Sequence, residues 1–412
     1  MLLLNLAHRL PAPAWAAVQA IAAALHPHEV RLVGGAVRDL LAQPDQPFAG
    51  DVDLCTTATP TEMQAAFAAA HLRAEPTGLA HGTLTVIHGG KGYEITTLRQ
   101  DVSTDGRRAV VSFTNDWATD AHRRDFTLNA LYANLNGHVF DPTGQGLADL
   151  HHRTLRFIGN PADRLAEDWL RALRYARFMA RFHAPSQPLP PGTETALQHA
   201  ARHLHTLPAE RLQQELEKML SLSTPGTQWP GCAAAIQLLQ QTSLWAALGL
   251  PSADTALDFT HADPTTLLPF AATLAGVLWL HPGPLSPALN HARLKPSRAQ
   301  QNLWQALDAA RAQAPTLTPL NARAWGYRQG WATAYIYQRL VTARWPTSPH
   351  RDLLKIFSEP APVFPVTGAD LVNLGHTPGP ALGDALAQLE AWWLEHNATP
   401  DRAACLAYLG NA

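Results

Sequence analysis

Two acidic residues separated by one position, Asp51 and Asp53, are the first candidates for chemistry in this chain. The segment Asp51–Leu54 alternates acidic and apolar residues, which is typical of a β-strand and would direct both carboxylates to one face of a sheet. Glu94, in the segment YEITTL, could add a third carboxylate to that face, or it could be a solvated strand residue. Carboxylates are the ligands that Mg²⁺ prefers, so these acids predict a Mg²⁺ site with Asp51 and Asp53 as metal ligands.

A glycine pair upstream, Gly34 and Gly35, follows a strand-like segment and precedes a helical one. Free backbone N–H groups at such a helix start can receive a triphosphate, and Arg38 adds a positive charge one turn later. A phosphate cradle beside acidic metal ligands predicts nucleotidyl transfer, in which two Mg²⁺ ions activate an attacking hydroxyl and hold the leaving pyrophosphate.

A third motif, RRDFTLNAL, places Arg124 and Asp125 just before an apolar helical pattern, with Asn129 one turn later. The arginine could contact a phosphate, and Asp125 or Asn129 could hold a ribose hydroxyl. The same residues also fit a capped helix start with surface arginines.

A fourth motif lies in the predicted helix Glu167–Phe182, where Asp168 and Arg171 are three residues apart and would share one face, as would Arg171 and Arg174. The pair could read a nucleobase, or it could be an ordinary intrahelical ion pair.

The elements that must position these residues change character along the chain. Strand patterns in VRLVGG, DVDLCT, TLTVIH and YEITTL, with a turn at Gly89–Gly92, predict a small sheet near the amino terminus. After about Asp149 only helical patterns recur. We therefore expect an α+β fold in which a small β-sheet head precedes an all-α neck, body and tail. The predicted domains are a head at 1–150 that contains the acids and the glycine pair, a helical neck with the Asp168–Arg171 motif at 151–225, a helical body at 226–300 and a helical tail at 301–412.

Composition narrows the class of protein. At roughly 150 residues per domain, 412 residues allow about 2.7 domains, so neither a peptide-sized fold nor disorder throughout is expected. The net charge of −2 hides a basic segment, residues 291–357, with ten lysines and arginines against two acids. That segment could follow a phosphate backbone or could simply be solvated helix surface. No apolar run is long enough for a bilayer, and we expect a cytoplasmic protein without a membrane partner.

Seven segments occur in a fixed order along the chain: LVGGAVRDLL, DVDLCTTATP, GLAHGTLTV, YEITTLR, RRDFTLNAL, FDPTGQGLADL and DRLAEDWLRALRYARF. Together they resemble the class II CCA-adding tRNA nucleotidyltransferase and poly(A) polymerase family, in the DNA polymerase β superfamily. The resemblance implies a Mg²⁺-dependent enzyme whose partners are the tRNA acceptor end, CTP and ATP. It implies catalysis by Asp51, Asp53 and Glu94, and nucleotide binding by Gly34, Gly35, Arg38, Arg124, Asp125, Asn129, Arg164, Asp168, Arg171 and Arg174.

Base choice can be argued from the chemistry of the last motif. A carboxylate accepts from the exocyclic amine of cytosine or adenine, and a guanidinium donates to ring acceptors of either base. Uracil and guanine offer a carbonyl instead, which costs about 1–3 kcal/mol for each group left unpaired.

The alternative functions are a partial enzyme that adds only the terminal A or only CC, a bacterial poly(A) polymerase, and an inactive RNA-binding homologue. The segment Arg99–Phe113 resembles a flexible loop that the family needs for A addition, which favours full CCA or terminal-A addition over CC alone, or it could be a simple hairpin connection.

Overall fold

The computed structural model covers the whole chain and describes residues 2–104, 109–184, 187–220, 229–253, 270–278, 289, 292–313, 317–344 and 351–410. The chain divides into two compact units. The first unit contains residues 1–215 and 230–248, and the second contains residues 216–229 and 249–412. The division into head, neck, body and tail at 150, 225 and 300 stays a prediction.

The first unit contains a seven-stranded mixed sheet in the order β3-β4-β5-β2-β1-β8-β9, and a separate two-stranded sheet, β6-β7. Strands β2 and β5 are parallel, and the other neighbours in the large sheet are antiparallel. The strands are β1 Val30–Val33, β2 Leu54–Thr56, β3 Arg73–Gly78, β4 Thr83–His88, β5 Lys91–Thr97, β6 Arg99–Thr104, β7 Ala109–Phe113, β8 Tyr132–Asn134 and β9 Val139–Phe140.

Helices pack against this sheet and follow it. Apolar residues of the sheet and of the amino-terminal helices form one buried core that includes Ile21, Leu32, Phe67 and Ile95. The helices up to residue 247 are α1 Leu6–Arg9, α2 Ala12–Ala24, α3 Gly35–Ala42, α4 Pro60–Ala69, α5 Trp117–His122, α6 Gly146–His151, α7 Pro161–Glu167, α8 Arg171–Phe182, α9 Thr193–Ala201, α10 Ala209–Leu220, α11 Trp229–Gln241 and α12 Leu244–Ala247.

The described part of the second unit is helical. Its carboxy-terminal core contains Leu371, Leu389 and Trp393. The described helices after residue 248 are α13 Phe270–Val277, α14 Arg298–Gln313, α15 Ala322–Gln329, α16 Trp331–Arg344, α17 Arg351–Ser358, α18 Gly368–Asn373, α19 Pro380–Glu395 and α20 Arg402–Gly410. None of the described helices is both long and apolar enough to span a bilayer.

The predicted strand Asp51–Leu54 is wrong in its bounds, because β2 begins only at Leu54. Leu32 and Leu54 form the last residue pair between β1 and β2, and the chain of β1 then turns away at Gly34. Asp51 therefore has no opposite strand residue, whereas the backbone C=O of Asp53 still accepts a hydrogen bond from the N–H of Val33 at 3.0 Å.

The predicted helix after Arg124 is also wrong. Residues Thr127–Asn129 form a single 3₁₀ turn, and the chain then enters β8. Pairing of Tyr132 with Val33 places this apolar segment inside the sheet, so tertiary pairing overrides its helical pattern.

The predicted helix Glu167–Phe182 is interrupted at Asp168. Asp168 has extended backbone angles, φ −155° and ψ 106°, and its side chain accepts a hydrogen bond from the N–H of Leu170 at 3.1 Å. A side chain that binds the backbone N–H two residues later competes with helix continuation. The sequence predicts that Asp168 and Arg171 share a helix face, and this prediction is wrong. The two residues instead flank the break between α7 and α8.

The segment Arg99–Phe113, interpreted from sequence as a flexible loop or a simple hairpin connection, is an antiparallel strand pair, β6 and β7, in its described part. Its tip, residues 105–108, lies outside the described residues.

Candidate active site

One cavity of about 600 Å³ in the first unit collects residues from well-separated segments of the chain. All the sequence-predicted site residues except Asp51 and Arg164 line it. Its described lining comprises Val33, Gly34, Gly35, Arg38, Asp53, Leu54, Cys55, Thr83, Glu94, Thr96, Arg99, Asp101, Arg123, Arg124, Asp125, Asn129, Asp168, Leu170, Arg171, Arg174, Phe178 and Arg211.

Two of the three predicted catalytic carboxylates lie side by side in this cavity. Leu54 pairs with Ile95 in parallel register, so the residues that precede them, Asp53 and Glu94, are neighbours at the sheet surface. Burial raises the pKa of Asp53, and the negative charges of Glu94 and Asp51 raise it further. Among the described residues, the Asp53 carboxylate has no hydrogen-bond or ion-pair partner. A bound cation would relieve this repulsion.

Asp51 points elsewhere. Its side chain is 88% exposed, and its Oδ1 lies 3.4 Å from the Nζ of Lys91 at the β4–β5 hairpin. Within the described ranges, no group of three or more His, Cys, Asp or Glu side chains is arranged to hold a metal ion. The type of donor fits Mg²⁺, because all three side chains are carboxylates and two of them already repel each other in one cavity.

The glycine pair and Arg38 form one wall of the cavity. Gly34 has φ +62°, a left-handed conformation that glycine adopts at little cost, and α3 begins at Gly35. Arg38, one turn into α3, is only 5% exposed. Its guanidinium donates to Asp39 and to the side-chain oxygen of Asn129, and it stacks on Phe182 at 4.4 Å.

Arg38 is the first member of a buried polar network. The Asn129 side-chain N–H donates to Asp125 Oδ1 at 3.0 Å, and Arg174 Nε donates to Asp125 Oδ2 at 3.0 Å. Burial alone would raise the pKa of Asp125, but the charge of Arg174 and the hydrogen bonds outweigh it and lower the pKa to about 2. Asp125 is therefore an ionised acceptor that fixes Asn129 and Arg174 at the cavity wall.

Arg124 is held by a second buried acid, Asp120. Arg124 and Arg123 form ion pairs with Asp120 at 3.0 and 2.7 Å, and the hydroxyl of Tyr132 donates to Asp120 at 2.7 Å. Burial opposes ionisation, but the two guanidinium groups lower the pKa of Asp120 to about 2. Asp120 thus sets the positions of two cations that line the cavity.

The break between α7 and α8 is held by a different set of contacts. Asp168 accepts a hydrogen bond from Arg211 of α10 at 3.0 Å, and Arg171 donates to Glu167 and to the backbone C=O of Arg164. An Asp168–Arg171 ion pair is not observed between these described side chains; each has another partner.

Arg164 lies outside the cavity lining. Its guanidinium donates to the backbone C=O groups of Arg123 and Arg124 and to Glu167. It therefore connects α7 to the loop that carries the arginine pair.

Comparisons with known proteins identify a family. A family model described as Poly A polymerase head domain matches residues 30–156. The Danio rerio protein named CCA tRNA nucleotidyltransferase 1, mitochondrial, is 34% identical over 377 residues, which cover 89% of this chain and 83% of that protein. The chain belongs to the CCA tRNA nucleotidyltransferase family.

Further relatives in the CCA tRNA nucleotidyltransferase family support the assignment. The CCA-adding enzyme of Lacticaseibacillus paracasei is 34% identical, with 88% of this chain and 87% of that protein covered. The Bacillus stearothermophilus CCA-adding enzyme, solved in complex with CTP, superposes with a TM-score of 0.73 at 26% identity and covers 97% of this chain and 96% of that chain. Membership confirms the family resemblance and the α+β fold class.

In this member of the CCA tRNA nucleotidyltransferase family, several residues that hold the site together were not found from the sequence. Asp120 lies one helical turn before Arg124, a spacing that could have suggested an ion pair. Glu167 is likewise four residues before Arg171, although the helix break at Asp168 lies between them. The contact from Arg211 to Asp168 spans 43 positions and carries no local signal.

Proposed function

We propose that this protein adds C and A nucleotides to the 3′ end of tRNA, using CTP and ATP and no nucleic-acid template. One observation supports it most: a single cavity joins a carboxylate pair, a glycine turn at a helix start and the Asp168–Arg171 break. Family membership and this cavity point to the same reaction.

In this reaction the terminal 3′-hydroxyl of the tRNA attacks the α-phosphate of the nucleotide, and pyrophosphate leaves. Bound Mg²⁺ would lower the pKa of the attacking hydroxyl and neutralise charge on the phosphates. We assign its ligands to Asp51 and Asp53, with Glu94 assisting. Positioning and charge neutralisation are then the main contributions of the protein.

The nucleotide would bind along the cavity wall. Gly35, at the start of α3, would offer its backbone N–H to the triphosphate, whereas the N–H of Gly34 already donates to the backbone C=O of Leu131 at 3.0 Å. Gly34 would instead let the phosphates approach the backbone closely, because it has no side chain. The buried guanidinium of Arg38 adds positive charge beside them. Arg124 would contact phosphate, and Asp125 and Asn129 would hold the ribose. Their shared hydrogen bonds keep these groups oriented before the nucleotide arrives.

Base choice would be made at the break between α7 and α8. Asp168 would accept from the amine of cytosine or adenine, and Arg171 would donate to a ring acceptor. Arg174 would complete this wall through Asp125, and Arg164 would act indirectly, through the backbone of the arginine pair. We interpret Arg164 as a positioning residue.

The basic segment 291–357 would carry the tRNA, together with the tail at 301–412. Of its charges, Arg328 on α15 is exposed, whereas Arg323 is paired with Glu359. A cytoplasmic location stays a prediction, because named relatives include both mitochondrial and bacterial proteins.

The deciding experiment supplies purified protein and Mg²⁺ with tRNA transcripts that end before the first C, after C and after CC, each with CTP, ATP or both. Full addition to all three supports the proposal. Growth only from CC indicates an A-adding enzyme, a stop at CC indicates a CC-adding enzyme, and long A tails on unrelated RNA indicate a poly(A) polymerase.

A further inference from the structure

Two threonine hydroxyls lie in the cavity and have no role in the nucleotide contacts above. Thr83 on β4 and Thr96 on β5 are opposite residues of the antiparallel strand pair, and their Oγ1 atoms are 2.9 Å apart. Both line the cavity that contains Asp53 and Glu94.

The pair continues the row of carboxylates along one face of the sheet. Thr96 follows Glu94 by two residues on β5, and alternate residues of a strand share a face. Asp53 lies beside Glu94 across the parallel β2–β5 pairing. A group that binds to the two hydroxyls is therefore next to the carboxylates at which the 3′-hydroxyl must react.

The hydrogen-bonding capacity of the pair selects a type of ligand. Two hydroxyls carry two protons, and the bond between them uses one. One proton and several lone pairs stay available, since no other described side chain binds to either hydroxyl. A ribose hydroxyl both donates and accepts and matches this capacity, whereas a phosphate oxygen only accepts.

A neighbouring cation favours an RNA strand at this place. Arg99 also lines the cavity, and its guanidinium donates to the backbone C=O of His81, two residues before Thr83. Its Nε lies 3.7 Å from Asp101, so the guanidinium shares its charge with one acid of the same cavity. The phosphodiester attached to a bound ribose would have this positive charge nearby.

We propose that Thr83 and Thr96 bind the 2′-hydroxyl of the 3′-terminal ribose of the tRNA, and so align the attacking 3′-hydroxyl. This inference rests on the proposed function and identifies the binding subsite of the acceptor nucleotide. The 2′-hydroxyl distinguishes RNA from DNA, so the pair would also make the enzyme prefer an RNA end.

The chain supplies a matched control one rung along the same strands. Thr85 is two residues after Thr83 on β4, and its hydroxyl lies 2.7 Å from that of Thr77 on β3. Neither Thr77 nor Thr85 belongs to the described lining of the cavity. Thr85→Val therefore removes a hydroxyl from the same strand and face without altering the proposed subsite.

The test measures single-turnover C addition to two tRNA substrates that differ only at the terminal nucleotide, which carries either ribose or 2′-deoxyribose. The 2′-deoxyribose substrate lacks the hydroxyl and so loses about one hydrogen bond to the threonine pair. Wild-type enzyme should therefore prefer the ribose substrate by roughly five- to tenfold. The double variant Thr83→Val, Thr96→Val should lower this ratio to about one, because valine keeps the shape and removes the hydroxyl. Thr85→Val, and the double variant Thr83→Ser, Thr96→Ser, should keep the wild-type ratio.

The outcomes separate this proposal from the function on which it rests. Addition by wild-type enzyme, with an equal ribose preference in the double valine variant, would overturn the subsite alone. So would an equal loss of rate on both substrates, or a loss of preference in Thr85→Val. Failure of wild-type enzyme to add any nucleotide to either substrate would overturn the proposed function and the subsite together.

Discussion

Arg211 of α10 donates a 3.0 Å hydrogen bond to Asp168, which occupies the break between α7 and α8. The acid proposed to read the base is therefore oriented by a cation that lies 43 positions away in the chain. Because Arg211 also lines the cavity, it can direct one Asp168 oxygen while the other accepts from the N–H of Leu170. Base choice then depends on the packing of α10 as well as on Asp168 itself.

We expect Arg211→Ala to relax nucleotide choice without abolishing addition. Loss of one charge-assisted hydrogen bond, worth about 1.5–3 kcal/mol, should lower the preference for CTP over UTP by tenfold or more. The measurement is kcat/KM for each nucleotide with a tRNA that ends before the first C. Arg202→Ala, at an exposed position just after α9, is the control and should keep the wild-type preference.

Replacing both Asp168 and Arg171 by alanine should relax discrimination against UTP and GTP further. Binding of Mg²⁺, followed with Mn²⁺ as a spectroscopic probe, should be unchanged. Unchanged nucleotide selectivity would mean that these side chains only hold the helix break.

Asp53→Ala and Asp51→Ala should each reduce nucleotide addition by more than tenfold, a loss above about 1.4 kcal/mol. Binding of tRNA, measured by filter retention, should change little because the basic segment is distant in sequence from these acids. Asp45 is an exposed acid that precedes β2 in the chain, as Asp51 and Asp53 do, and Asp45→Asn should leave addition intact. Either alanine variant with near wild-type turnover would argue against the metal assignment.

The stability of the protein should fall in acid because of Asp120. Its pKa is about 2 in the folded protein, against an ordinary value of 3.8. A lowered folded-state pKa adds stability above pH 4, and this contribution is lost as the pH falls from about 4 to 2. The shift corresponds to about 2 kcal/mol. Urea unfolding of wild-type protein and Asp120→Asn should therefore differ most near pH 6 and converge toward pH 2; a constant difference would contradict the ion-pair role.

Gly146→Ala should disturb nucleotide binding by displacing the turn that carries Asn129. A Cβ atom at Gly146 would lie 2.5 Å from the backbone oxygen of Thr127, at the start of the turn that carries Asn129. Overpacking of this kind costs about 1–3 kcal/mol, and the KM for CTP should rise. Gly383→Ala in α19 is the control, because its Cβ would meet no atom within 4 Å and alanine favours a helix by up to about 1 kcal/mol. A normal KM for CTP in Gly146→Ala would show that the turn can yield.

Affinity for tRNA should fall steeply as salt rises, and Arg328→Ala should reduce the slope of log affinity against log salt by about one unit. Arg323→Ala should change the slope less, because Arg323 is already paired with Glu359. Affinity that does not depend on salt would assign these charges to solvated surface.

Local features of the fold could be predicted from the sequence because they depend on neighbouring residues. The Gly89-Gly90 turn has positive φ at both positions and joins β4 to β5, as the two glycines indicate. Gly34 likewise ends a strand and precedes a helix that places Arg38 one turn in. The helices of the second unit follow their apolar spacing in the described part, and Gly330, with φ +83°, separates α15 from α16.

The sequence by itself determined which residue types form the candidate site, because acids that can bind a metal, glycines that can approach a phosphate and arginines that can neutralise it occur together in those motifs. Only the tertiary structure decided how they are oriented. Asp51 is turned to Lys91 while Asp53 lies beside Glu94, and Asp168 binds Arg211 instead of sharing a helix face with Arg171. Local spacing fixes the order of side chains along one element, whereas the partner of a buried charge depends on which other elements pack against it.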